Sequence, residues 1–249
     1  MTSHTTRTGV VTAWTEELRE LLAPVRYVLW DLDGPICRLF AGHPANEVAR
    51  DLVREIERLG PDSLLTEGER LCPDPQSVLL AVYCRHPEAG LITHLEKRLT
   101  EQELVAVPRA WPTPYADPLI MTWSALGARF AITTNNSARA AAAYTESRRL
   151  TACFSHIYGR TEDLARMKPH PHCLSRALES LDAHPSQALM LGDAGTDYQA
   201  AQALGVPFLG YARNQRKLDL LVTAGVDPSH IVRSLEEVLI PLKLLKPGS

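Results

Sequence analysis

Apolar and polar positions along this chain follow two different periods, and the switch between them divides it. After a polar stretch, residues 1–11, that reads as a loose tail, Trp14, Leu18, Leu21 and Leu22 fall at helical spacing. Pro24 stops that helix. Val25 to Leu32 is nearly continuously apolar past Arg26, too short for a typical helix and rich in β-branched and aromatic residues. That is the pattern of a strand buried on both faces of a parallel sheet. From His43 to Pro118 strand-like runs are absent. Val48, Leu52, Val53, Ile56 and Leu59 make one helical stripe, ended by Gly60-Pro61. Val78, Leu79 and Val82 begin a second that closes near Pro87. Leu91, Leu95 and Leu99 make a third, and Leu104, Val105 and Val107 a short fourth.

Beyond Pro118 the two periods alternate. Helices are predicted over 119–126, 138–149, 171–181, 198–204, 215–224 and 234–245, and strands over 128–134, 154–158, 188–191, 206–210 and 231–232. Strands alternating with helices predict an α/β fold, a doubly wound parallel sheet. The helical block is longer than the single helix of an ordinary crossover, so it reads as an inserted all-helical subdomain. The expected division is an α/β core of residues 12–40 and 116–249 with a helical insert of 41–115. The connecting loops lie around 38–44 and 108–117, the second carrying Pro108, Pro112 and Pro114.

Composition narrows the function by exclusion. With 249 residues the chain has length enough for a core without staples, and its net charge of −3 offers no electrostatic case for nucleic acid or an anionic membrane. No apolar run approaches the roughly 20 residues that span a bilayer. The first residues, MTSHTTRTG, contain no hydrophobic segment of a secretion signal. Five cysteines form no C-x-x-C pair and are odd in number, which fits reduced thiols. The expectation is a cytoplasmic protein.

The candidate chemistry sits where apolar runs end. The first strand ends in Asp31-Leu-Asp33-Gly34, the strand through Phe130 and Ile132 in Thr134-Asn135, and the strand through Leu189 and Leu191 in Gly192-Asp193 with Asp197 shortly after. Lys168-Pro169 opens a helix between the second and third. In a parallel sheet these strand ends converge on one edge. Two carboxylates about 4 Å apart repel by about 4 kcal/mol at an effective dielectric near 20, so Asp31 and Asp33 call for a divalent cation or a shared proton. Gly34 lets the backbone turn sharply there.

The order D-L-D-G (31–34), I-T-T-N (132–135), K-P (168–169) and G-D-A-G-T-D (192–197) resembles the haloacid dehalogenase-like hydrolase superfamily, over residues 25–245. The helical insert resembles the cap of the subclass that contains phosphoglycolate phosphatase and β-phosphoglucomutase, and Ile157 to Arg160 through Lys168 to Pro171 is similar to phosphatases of that subclass. The resemblance implies a Rossmann-like core and a reaction through an aspartyl-phosphate. Asp31 would be the nucleophile and Asp33 the general acid and base. Lys168 would neutralise the charge of nucleophile and phosphate, while Thr134 and the N–H of Asn135 would bind phosphoryl oxygens. Mg²⁺ would be held by Asp31, the Asp33 carbonyl and Asp193, with Asp197 orienting that shell. Dehalogenases of this superfamily lack an acid at the position of Asp33, because halide leaves without a proton. The second aspartate therefore argues for phosphate esters.

The sequence departs from the family at Pro35 and Ile36, where many relatives carry threonine and leucine. The insert has Lys97 as its only lysine, which argues against a cap-lysine Schiff base and against a mutase with a cap lysine. Arg38, Arg85, His86 and Arg109 are the candidates to meet a substrate's polar groups. His170-Pro-His172-Cys173 invites a zinc reading, but no second ligand cluster faces it at usual spacing. The expected function is Mg²⁺-dependent hydrolysis of a small phosphomonoester. A phosphomutase or phosphotransferase using the same intermediate, and a silent binding protein, stand as alternatives.

Overall fold

The computed structural model describes residues 15–60, 62–87 and 89–244. The expected tail, residues 1–11, and Trp14 lie outside them. Helix α1 (Glu16–Leu22) is capped by the Thr15 side chain and buries Leu18 and Leu22 against the core. Strand β1 (Tyr27–Trp30) then enters a six-stranded parallel sheet in the order β5-β4-β1-β6-β7-β8. The other strands are β4 (Arg129–Ser137), β5 (Phe154–Arg160), β6 (Ala188–Gly192), β7 (Phe208–Tyr211) and β8 (Ile231–Val232). Helices α6 (Ala116–Ala125), α7 (Ala138–Ser147), α8 (His172–Leu181), α9 (Gly195–Gln202), α10 (Gln215–Thr223) and α11 (Glu236–Lys243) alternate with them.

Strand β1 is central and buried on both faces, as its unbroken apolar run requires. Val28 and Trp30 join Phe130, Ile132, Leu189 and Leu191 in one core layer, while Leu29 joins Ala131, Met190 and Phe208 in the other. Trp30 meets Trp123 and Phe130 edge-on, with ring centroids 6.5 and 6.1 Å apart. Its register against β4 and β6 sets Trp30 beside Ile132 and Leu191. Three strand ends are thereby level, and the residues after them share one edge.

The block between β1 and β4 is helical: α2 (Ala45–Leu59), α3 (Glu67–Arg70), α4 (Pro75–Arg85) and α5 (Ala89–Ala106). The third and fourth stripes are one helix, not two. No breaker separates them, and α5 runs through Leu91, Leu95, Leu99, Leu104 and Val105; the buried face continues from Leu99 to Glu103 and Ala106, leaving Val105 exposed. The stripes of α2, α4 and α5 form their own core of Val48, Leu52, Ile56, Val78, Leu79, Val82, Leu95 and Leu99, which Leu164 and Met167 join from the segment after β5. Two short strands absent from the sequence reading pair where the chain leaves and re-enters the sheet region. These are β2 (Cys37–Arg38) and β3 (Trp111–Pro112), antiparallel, with Thr113 N–H donating to Ile36 O at 3.0 Å. No helix among the described residues is long and apolar enough to cross a membrane.

Candidate active site

Asp31 follows β1, and its backbone N–H still donates to Leu191 O at 2.9 Å, so the carboxylate starts from a fixed strand end. Gly34 has φ +138°, and a Cβ there would stand 2.4 Å from Asp193 Cγ. Only glycine lets the turn after β1 pass that close to the carboxylate at the end of β6. Gly192 gives way in the same manner, since its Cβ would fall 2.5 Å from Asp197 Oδ2.

Lys168 links the strand ends. Its buried ammonium donates to Asp31 Oδ1 at 2.9 Å, to Thr133 O at 2.8 Å and to Asp197 Oδ1 at 2.6 Å. The lysine backbone is clamped by Asn135, whose Oδ1 accepts from Lys168 N–H at 2.8 Å while its Nδ2 donates to Lys168 O at 3.0 Å. Asp197 lies in the first turn of α9, and its Oδ2 accepts from the N–H groups of Asp193 and Ala194, both at 3.1 Å. It caps its helix and orients Lys168 with the same carboxylate.

Asp33 Oδ1 accepts from Leu39 N–H at 2.9 Å. Thr134 is buried. Its hydroxyl donates to Asn136 Oδ1 at 3.2 Å and accepts from Asn136 N–H at 3.1 Å. A cavity of about 360 Å³ is lined by Asp31, Asp33, Asn135, Lys168, Asp193 and Asp197 on the sheet side. Arg85 points elsewhere, paired with Glu69 at 2.8 Å, and neither Arg85 nor Arg109 lines this cavity. Arg38 lines a smaller adjoining cavity, with its guanidinium 5.3 Å from the Trp111 ring centroid.

Two sets of residues at the site were assigned no role from the sequence, although Arg160 lies in the stretch similar to phosphatases of the subclass. The first is Lys217 of α10, whose ammonium donates to Asp193 Oδ2 at 2.7 Å and to Asp193 O at 3.2 Å. The second is an ion cluster beneath the Thr134–Ser137 segment, in which the side chains of Arg160 and Glu103 are fully buried and Glu96 is partly exposed. Arg160 of β5 donates to both oxygens of Glu103 of α5, at 2.8 and 3.1 Å, to Glu96 Oε1 at 3.2 Å and to Asn135 O at 3.1 Å. Glu103 also accepts from Asn136 Nδ2 at 3.0 Å and Ser137 N–H at 2.9 Å. Helix α5 is thus fastened to the end of β4.

Burial dominates the electrostatics. It pushes the Asp31 carboxyl up to about 7, against the pull of Lys168, and Asp197 and Asp193 push in the same direction as burial. It pushes Asp33 up to about 6, against the bond from Leu39 N–H, and Asp193 also to about 6, against the charge of Lys217. Burial works against the charge of Lys168, but Asp197 and Asp31 hold it above the ordinary lysine range.

The donor set fits a hard divalent cation. One oxygen each from Asp31, Asp193 and Asp197 lies within 4.8 Å of the others. Four carboxylates, with Asp33, face two ammonium groups, which leaves two negative charges for an ion to neutralise. Oxygen-only ligation of this kind suits magnesium.

The haloacid dehalogenase-like hydrolase model matches residues 25–205. The chain belongs to this family. Its haloacid dehalogenase-like relatives include phosphoglycolate phosphatases. That of Rhodobacter capsulatus is 28% identical over 196 residues, covering 78% of this chain and 87% of the relative. That of Rhodospirillum rubrum is 36% identical over 104 residues, covering 40% of this chain and 43% of the relative. For relatives from Salmonella and Escherichia coli the match likewise spans only 38–51% of their length. The crystal structure of a predicted phosphatase from Clostridium acetobutylicum shares the fold, with a TM-score of 0.65 at 18% identity, covering 89% of this chain and 99% of that one.

Proposed function

We propose that this haloacid dehalogenase-like hydrolase is a magnesium-dependent phosphatase that hydrolyses a small phosphomonoester through a phosphoryl group carried on Asp31. The observation that carries the reading is the buried Lys168 ammonium, bonded to Asp31 Oδ1 and Asp197 Oδ1, with Asp33 facing the same cavity. The phosphatase names borne by relatives support it.

Lys168 holds Asp31 Oδ1 and leaves Oδ2 to attack phosphorus. An ionised carboxylate needs no base for that step. The Asp31 and Asp193 carboxylates and the Asp33 carbonyl would hold Mg²⁺, which would supply positive charge that keeps Asp31 ionised and reduces its repulsion from the phosphoryl oxygens. Asp33 Oδ1 is engaged by Leu39 N–H, so Oδ2 carries the proton given to the leaving oxygen. With its carboxyl at about 6, a useful fraction is protonated at neutral pH. In the second half of the reaction the ionised Asp33 takes a proton from the water that attacks phosphorus. The N–H of Asn135 receives a phosphoryl oxygen, the Thr134 hydroxyl joins it by turning from Asn136 Oδ1, and Lys168 lowers the charge between nucleophile and phosphate. Residues 41–115 act as a cap over the core of residues 12–40 and 116–249, keeping water from the phosphoryl group.

The test is phosphate release from a panel of phosphomonoesters with Mg²⁺ and with EDTA, on wild type beside Asp31→Asn. Release that needs the metal and disappears in the variant supports the reading. Equal turnover by Asp31→Asn would remove Asp31 as the nucleophile.

A further inference from the structure

The two cavities meet at Asp33 and differ in charge. The helical wall of the larger one presents Asp74, Gln76, Ser77 and Leu80. Its one charged group, Asp74, caps α4, accepting from the N–H groups of Gln76 and Ser77 at 3.3 and 3.1 Å. That wall offers an amide, a hydroxyl and a carboxylate, and no cation. The smaller cavity, about 240 Å³, is lined by Arg38, Arg213 and Lys217 together with Asp33, Gly34 and Asp193.

Among the described residues, only Lys217 of these three cations is ion-paired to a carboxylate, Asp193. Arg213 stands in the turn between β7 and α10, is exposed, and makes no hydrogen bond or ion pair among the described residues. Arg38 is exposed too and rests on Trp111, a stacking that leaves the N–H groups at the guanidinium edge open. The two guanidinium groups face one cavity with no bonded carboxylate, the charge of Arg213 reaching Asp33 across space, and an anion between them would relieve their mutual repulsion. Asp33 meets the oxygen of the leaving alcohol, so what lies a few bonds beyond that oxygen can turn toward either cavity.

We propose that the leaving alcohol carries a second anionic group, a carboxylate or a phosphate, which Arg213 and Arg38 hold in the smaller cavity. The turn after β7, in the core, then selects the leaving group, and no cation of the helical block is needed. The inference rests on the phosphatase reading. A guanidinium fork accepts either anion bidentately, and such charge-assisted bonds are the strong ones.

Three esters of similar length separate the possibilities: 2-phosphoglycolate, ethylene glycol bisphosphate and 2-hydroxyethyl phosphate. Wild type should turn over one or both anionic esters with kcat/KM roughly 10- to 100-fold above the neutral ester. Which anionic ester gains identifies carboxylate or phosphate. In Arg213→Met that ratio should collapse toward one, with Arg213→Lys between. Equal kcat/KM for all three in wild type, or an equal loss on all three in Arg213→Met, would overturn the subsite while leaving the phosphatase reading intact. No hydrolysis of any ester would instead defeat the phosphatase reading. Calorimetric binding of the same esters to Asp31→Asn decides the subsite without turnover: tighter binding of an anionic ester, lost on adding Arg213→Met, supports it, and equal affinities reject it.

Discussion

At the scale of single residues, the two aspartates after β1 differ in what holds them, and the proposed mechanism gives them different work. Asp31 is bonded to an ammonium group and Asp33 to a backbone N–H. Asp33→Asn keeps the shape but removes the proton, so kcat for an alkyl phosphate should fall by roughly 10²–10⁴-fold. p-Nitrophenyl phosphate, whose leaving group departs without protonation, should lose much less. Steady-state kinetics on the two esters measures the split, and an equal loss on both would remove Asp33 as the acid. Asp31, Asp33, Asp193 and Asp197 are legible in the sequence because each follows an apolar run, and strand ends of a parallel sheet must meet. Lys217, Arg213 and Glu103 are not. Each reaches the site from an element whose direction is set by packing, and neither helical period nor strand alternation encodes where a long side chain ends.

Among elements, α5 has two attachments. Its apolar stripe belongs to the helical block, while Glu96, Thr100 and Glu103 all bond to Arg160 of β5. The side chains of Arg160 and Glu103 are completely buried. Burying two charges is tolerable only because each has its partner and further hydrogen bonds. Glu103→Gln leaves Arg160 with Glu96 as its one carboxylate partner among the described residues and takes the acceptor from Asn136 or Ser137. The expected cost is about 3 kcal/mol, which at this size lowers Tm by roughly 6–12 °C. Calorimetry reads it directly, and an unchanged Tm would show that the pair holds nothing together. The breakers Gly60-Pro61 and the stripes of α2 and α4 make the block readable from the sequence. The β2–β3 pair is not readable, because two-residue strands have no period and form only when the ends of the insert are brought side by side.

For the molecule as a whole, the site is a concentration of charge that the fold tolerates unequally with pH. Asp31, Asp33 and Asp193 titrate at about 7, 6 and 6 in the folded protein, against about 4 in an unfolded chain. Between about pH 4 and pH 7 the folded state therefore binds more protons than the unfolded state, and stability falls as pH rises through that window. The metal-free protein should be more stable at pH 5 than at pH 7.5 in denaturant titrations. Added Mg²⁺ should restore stability at the higher pH, where the carboxylates are ionised and can bind it. A metal-free stability that climbs from pH 5 to pH 7.5 would contradict the burial of these groups.

The central claim is that Asp31 takes the phosphoryl group, and one measurement reaches it without knowledge of the substrate. Wild type and Asp31→Asn are mixed with Mg²⁺ and a reactive phosphoryl donor, quenched in acid within milliseconds to seconds, digested, and analysed by mass spectrometry. One added phosphoryl group is expected on the wild-type peptide that contains Asp31, absent with EDTA and absent in the variant. A phosphoryl group on another residue, or rapid phosphate release with no labelled peptide at any quench time, would contradict it.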